Sequence, residues 1–274
     1  MNPWIFLTLA VTGIAIALWV PHFRLKRALK APFPEEWVPI LEGNIQIYRN
    51  LPHQLRMQLR QLIKRFLHQK QFFGAGGLEM TDEIRVTIAA EACMLVLNRP
   101  SAVYPKLRYI IVYPTGFVVK RGGIDEAGVM DARPKHVLGE SWNRGKVILA
   151  WDSVLQGASN FLDGHNVVLH EFAHQLDSET GATDGAPILG GVGSYRSWAQ
   201  VLSDEYVELQ QDSRRGKRSL MDHYGATNPA EFFAVATETF FEKPGRMAKH
   251  HTELFETLKV YYRIDPRDWQ TKQD

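Results

Sequence analysis

Hydrophobic positions along this chain fall into contrasting patterns. Trp4–Val20 is a run of seventeen residues without a charge, at the short limit for a membrane-spanning helix. No Lys or Arg precedes it and no Ala-x-Ala site follows, so the marks of a secretory signal are missing. Arg24, Lys26, Arg27 and Lys30 come directly after, and the positive-inside rule places everything beyond them on the cytoplasmic side. The expected organisation is a transmembrane anchor over 1–21, a basic juxtamembrane connector over 22–34 and one globular domain over 35–274. The alternatives are an uncleaved signal segment and a cytoplasmic protein with this helix packed on its domain.

Within the domain the pattern turns helical. Leu55, Leu59, Leu62, Ile63 and Phe66 share one side of Leu51–Gln71, with Arg, Lys and Gln on the other. Gly74–Gly77 breaks that helix; without a third glycine or a preceding strand it reads as a turn, not a dinucleotide fingerprint. Thr81–Leu97 is a second helix, apolar throughout its later half and therefore expected at the centre. Tyr109–Tyr113, Phe117–Lys120 and Lys146–Trp151 carry strand signals between Pro- and Gly-bearing turns. A helix opening near Asp163-Gly164 has Val167, Val168, Phe172 and Leu176 on its apolar side. Gly181–Ser194 reads as a surface loop or cleft rim, and helices are expected over Val201–Gln211, Pro229–Glu242 and Thr252–Tyr262. The sum is an α+β, mostly helical domain with a small sheet, preceded by an N-terminal hydrophobic helix.

Composition narrows the class. At 274 residues, 45% of them hydrophobic, the chain can bury one substantial core. A net charge of +2 argues against a nucleic-acid partner, and Arg214–Arg218 reads as a solvated loop between helices. The single cysteine, Cys93, excludes an internal disulfide and sits in an apolar run, as a buried thiol would.

The chemistry is concentrated in His170-Glu171-Phe172-Ala173-His174. Residues four apart share one helix face, so both imidazoles can reach one metal ion, and Glu171 can act on a metal-activated water without being a ligand. A catalytic zinc needs a third protein ligand. Asn228-Pro229 is a helix start, which puts Glu231 in a first turn, either as a capping carboxylate reaching back to the Asn228 amide or as that ligand. Glu238, seven residues on and near the same face, is the rival ligand or a group that steadies one. Asp177 faces the same side as His174 and could orient a ligand histidine or simply end the helix. Lys146–Trp151 could be a sheet edge that receives an extended substrate or an internal strand.

HEFAHQLD, followed downstream by YGATNPAEFFAVATETFFE, resembles the Mlc titration factor A family of bacterial zinc peptidases and, more distantly, the catalytic domain of anthrax lethal factor. The likeness runs from about Phe33 onward through Gly74-Ala75-Gly76-Gly77, Ile88–Cys93, Gly139-Glu140-Ser141-Trp142 and Asp163-Gly164-His165-Asn166. It implies a zincin-like metallopeptidase domain holding one zinc ion on His170, His174 and Glu231, with Glu171 as general base. It also implies that Tyr224 donates to the oxyanion of the tetrahedral intermediate. A peptide substrate and aminopeptidase-like activity follow from the resemblance. So does a second possibility, sequestration of a transcriptional repressor of sugar uptake. An aminopeptidase needs a carboxylate for the substrate's amine, and Glu140, Asp152 and Glu238 are equal candidates.

Overall fold

The computed structural model describes residues 3–99, 102–116, 145–189 and 192–270. The expected strand at Phe117–Lys120, the Gly139–Trp142 motif and Glu140 lie outside them. The described elements are α1 (Pro3–Lys30), α2 (Trp37–Asn44), α3 (His53–Gln69), β1 (Gln71–Gly74), α4 (Asp82–Met94), β2 (Tyr109–Tyr113) and β3 (Lys146–Ala150). They continue with α5 (Trp151–Ser159), α6 (Val167–Asp177), α7 (Val192–Arg215), α8 (Pro229–Glu242), α9 (Pro244–His250) and α10 (Thr252–Tyr262), interspersed with short 3-10 turns. The protein is mostly helical, with a small parallel sheet.

The sheet runs β1-β2-β3, with Ile110 opposite Phe72 on one side and Val147 on the other. Two elements beside it escape the sequence pattern. Gln71–Gly74 is a strand, so the glycine segment does follow one; four residues at a sheet edge are too few to show a period. The third strand ends at Ala150, and α5 separates it from the helix that bears both histidines. Trp151 therefore opens a helix and does not close a strand.

Caps fix the helices that matter for the site. Thr81 Oγ1 accepts from the Ile84 amide at the start of α4. The histidine helix begins at Val167, later than Asp163-Gly164 suggested, because Asn166 Oδ1 accepts from the Val168 and Leu169 amides. Asp163-Gly164 instead belongs to the turn before it, with Gly164 at φ +80°, where a side chain would be strained. Asn228 Oδ1 accepts from the Glu231 amide and Pro229 occupies the first turn of α8. The basic cluster expected as a loop begins inside a helix, since α7 runs on to Arg215.

The core gathers around α4, α6 and α8. Cys93 and most of the α4 side chains are buried. The ring of Phe172 on α6 packs 5.7 Å from Phe66 and 4.9 Å from Tyr104. On α8, Phe240 and Phe241 meet Tyr262 of α10, and Phe233 meets Trp198 of α7. At the other end, Lys64 Nζ donates to the Leu29 and Ala31 carbonyls and ties the last turn of α1 to α3. Trp4, Leu9 and Trp19 on α1 are exposed. Among the described residues no helix is long and apolar enough to cross a membrane, so the fold gives no support to the spanning segment expected over 1–21.

One buried acid sits at the centre of this core. Glu91 of α4 is fully buried, and its Oε1 accepts from Asn166 Nδ2 at 2.6 Å. Burial pushes its carboxyl up to about 8, and the Asn166 bond offsets only part of that rise. Because the folded pKa exceeds the unfolded one, the unfolded chain releases this proton first as pH rises. Stability is then lost from pH 4.5 upward until about pH 8. Glu91→Gln removes that titration. Urea unfolding of metal-free protein at about pH 5 and about pH 8.5 should show wild type losing on the order of 2 kcal/mol more than the variant. Equal losses would place the charge cost elsewhere.

Candidate metal centre

Helices α6 and α8 lie side by side and bring His170, His174 and Glu231 to one point. His170 Nε2 is 3.2 Å from His174 Nε2 and 3.0 Å from Glu231 Oε2, and His174 Nε2 is 3.3 Å from that same oxygen. Three donors about 2 Å from a tetrahedral ion stand about 3.3 Å apart, so the triangle has the size such an ion requires. The backbone amide of Glu231 engages the Asn228 cap while its carboxylate faces the imidazoles. The capping-box alternative, with that carboxylate turned back, is not what the chain adopts.

Glu238 occupies the far side of the same ring. Its Oε1 lies 2.7 Å from His170 Nδ1, and its Oε2 accepts from the Asn166 amide at 2.6 Å. It is not in the triangle; it steadies a histidine that is. With a metal bound, a proton on Nδ1 directed at Glu238 would leave the Nε2 lone pair to the ion, beside the His174 nitrogen and the Glu231 oxygen. Such a convergence of acceptors fits a cation, and His170, His174 and Glu231 are the group among the described residues that could hold one.

The electrostatics agree. Burial depresses the His170 pKa, but hydrogen bonds to Glu231 and Glu238 outweigh it and hold the imidazole well above its ordinary range. Burial raises the Glu231 carboxyl, yet His170 and His174 together pull it down to about 2. The centre is therefore built to keep positive charge against a carboxylate.

An open cleft of about 310 Å³ leads to the histidines and is lined by Ser153, Gln156, His165, Glu171, Asp222 and Tyr224, among others. Glu171 is only 1% exposed, and it lines the same cleft closely enough for its charge to act on both His170 and Tyr224. The Tyr224 ring centroid stands 6.0 Å from that of His170. Burial raises its hydroxyl pKa, and the Glu231 and Glu171 charges push the same way, so the group remains a neutral phenol. It comes from the 3-10 turn His223–Ala226, capped by Asp222 Oδ1 on the Tyr224 amide at 2.6 Å.

The other sequence candidates have structural posts. Asp177 turns its Oδ2 to the Gly185 amide at 2.8 Å and pins the loop after α6, with burial raising its pKa to about 7. Asp152 stands in the first turn of α5, where it accepts from the Ser153 and Gly116 amides. Sequence reasoning missed Asp222, Asn166 and Glu242. Glu242 Oε2 accepts from the Gly164 and His165 amides, at 2.7 and 3.1 Å. Two of them carried a readable capping signal, Asp222 two residues before Tyr224 and Asn166 directly before Val167.

Residues 20–263 match the glucose-regulated metallo-peptidase M90 family. The chain belongs to that family. It is 40% identical to an uncharacterized protein of Synechocystis sp. over 97% of its own length and 98% of the relative's. It is 28% identical to Mlc titration factor A of Pectobacterium atrosepticum, covering 86% of this chain and 90% of that one. With Mlc titration factor A of Klebsiella pneumoniae the identity is 30%, over 81% and 84%. A metallopeptidase needs a metal, and the donor set on α6 and α8 suits one.

Since Glu238 fixes the ring of His170, Glu238→Gln should weaken metal binding about 10- to 100-fold while leaving the three donors in place. Competition with a chromophoric chelator measures this directly. Undiminished affinity in the variant would mean that His170 needs no such support.

Proposed function

We propose that this protein is a zinc-dependent peptidase in which His170, His174 and Glu231 hold one ion, Glu171 is the general base and Tyr224 is a neutral donor. The observation that carries the reading is the meeting of three donor atoms within 4.8 Å of one another, in a cleft that Glu171 and Tyr224 also line. Two imidazoles and one carboxylate are the donor set of known catalytic zinc sites and leave a coordination position for water. Zinc bound there would lower the pKa of that water and polarise the scissile carbonyl. Glu171 takes up the water's proton as attack begins and returns it to the departing amine. The Tyr224 hydroxyl, kept neutral by its surroundings, donates to the oxyanion that develops on the carbonyl. Glu238 holds the imidazole of His170 throughout. The substrate class is short peptides cleaved at their amino end.

A second reading draws on the name of two relatives, Mlc titration factor A: binding of an Mlc-type repressor, with peptidase activity secondary. The full set of base, donor and ligands favours hydrolysis, since a purely binding surface has no use for a buried Glu171 beside a metal centre.

Glu171→Gln should retain zinc and lose at least about a hundredfold in hydrolysis of amino-acid p-nitroanilides, because an amide cannot accept the proton. Metal analysis alongside kinetics checks both halves, and full activity with bound metal would sink the mechanism.

We also propose that α1 attaches the protein to a membrane with the catalytic domain on the cytoplasmic side. Exposed Trp4, Leu9 and Trp19 followed by Arg24, Lys26, Arg27 and Lys30 support it, as apolar contact and charge attraction to anionic lipid would act together. Removing residues 1–22 spares the Lys64 contacts to Leu29 and Ala31 and should yield a soluble, metal-binding domain. The whole chain should sediment with vesicles containing anionic lipid and the truncated chain should not, and equal sedimentation of the two would overturn the attachment.

A further inference from the structure

Three carboxylates line the cleft, Glu171, Glu238 and Asp222, and they are not equally available. Both oxygens of Glu238 are engaged, by His170 and by the Asn166 amide. Glu171 is buried beside the histidines. Asp222 differs. Its Oδ1 caps the turn that carries Tyr224, while its Oδ2 faces His165 Nε2 at 3.7 Å, beyond hydrogen-bond distance, and the side chain is 40% exposed.

We propose that Asp222 is a binding residue for a cationic group of the substrate, an ammonium that seats on Oδ2 opposite His165. This deepens the peptidase reading and rests on it for the identity of the ligand as a peptide. Charge and placement both favour it. Asp222 Oδ2 meets no donor within hydrogen-bond distance among the described residues, and an ammonium–carboxylate contact there would be a charge-assisted hydrogen bond. Every peptide with a free amino end carries such a group; a lysine side chain offers the same chemistry. The cap makes the placement useful, because the residue that would hold the ammonium also holds the backbone of Tyr224. Bound charge and oxyanion donor are thereby kept in one turn, two residues apart. Asp152, engaged by the Ser153 and Gly116 amides, is already committed elsewhere.

The test is binding, read without turnover. Tri-alanine amide, its N-acetyl form and an N-acetyl peptide with one lysine are titrated calorimetrically into zinc-loaded Glu171→Gln protein and into the same protein also carrying Asp222→Asn. Asparagine retains the Oδ1 cap and loses the charge. With Asp222 present, the free-amine peptide should bind about tenfold or more tightly than its acetyl form, the range of a hydrogen bond to a charged group. Once Asp222→Asn is added, that ratio should fall to about twofold or less. Tight binding of the lysine peptide that Asp222→Asn abolishes assigns the site to side-chain ammonium as well as the amino end. A preference absent from the start, or one that survives Asp222→Asn, overturns the proposal. Loss of affinity for all three peptides alike overturns it too, because a fold defect ignores charge. Should zinc-loaded wild type hydrolyse none of these peptides while the charge preference holds, the peptidase reading fails and the ammonium site stands.

Discussion

The structure depends on one contact between two helices, the acceptance of the α6 N-terminus by the carboxylates of α8. Glu242 takes the Gly164 and His165 amides, and Glu238 takes the Asn166 amide. The Asn166 amide is that of the α6 N-cap and the other two belong to the turn before it, so none of the three has a partner within the helix. Because Glu238 also holds His170 and Glu231 sits two turns earlier on the same helix, seating α6 against α8 closes the triangle of metal donors in the same act. The centre is an outcome of helix packing, with no loop left to position it.

That arrangement has a cost that the rest of the core offsets. Burial raises the Glu242 carboxyl to about 9 and Glu91 to about 8, so both acids lie far from water. Each is retained in a post that no apolar residue could fill: Glu242 on the amides of the preceding turn, Glu91 on the side chain of the capping Asn166. Small residues let the partners close in. A Cβ on Gly157 of α5 would stand 3.1 Å from the Asn166 Cα, so an alanine there would push the cap outward. Aromatic packing of Phe172 and Phe240 supplies the apolar burial against which this polar layer is held.

How much of this was legible in the sequence follows from how local each signal is. The 3.6-residue period and the Asn228-Pro229 start placed α8 at its observed bounds, Pro229–Glu242, and the same logic located Thr252–Tyr262. Both histidines were nameable, because a spacing of four on one helix is written in adjacent residues, while Glu231 was singled out only through the resemblance to a family. What could not be read needs the third dimension. The spacing of Glu231 and Glu238 leaves them equivalent; only the packing of α6 decides that one faces Nε2 and the other Nδ1. Short elements such as β1 and α5 fell below the length at which a period shows, and α7 begins in a glycine-rich stretch that reads as loop. The Asp163-Gly164 turn mimics a helix start because a true one follows directly, with its cap in Asn166.

The histidine helix α6 is thus held at both ends by acids. At its start, Glu238 meets a backbone amide and an imidazole, while Glu91 and Glu242 retain protons through neutral pH. At its end, Asp177 pins the Gly185 amide of the following loop, whose carbonyl accepts from Trp198 Nε1 on α7. A helix fixed in this way cannot slide or rotate without exposing a buried carboxyl group, and rotation of even a fraction of a turn would carry one histidine away from Glu231. Pre-organisation of the donors therefore comes from polar ties at the helix ends, where the backbone has unused donors and acceptors, and the apolar face of α6 needs only to fill space. This division explains why the side chains that touch no metal, Asn166, Glu238 and Glu242, fix the geometry of those that could.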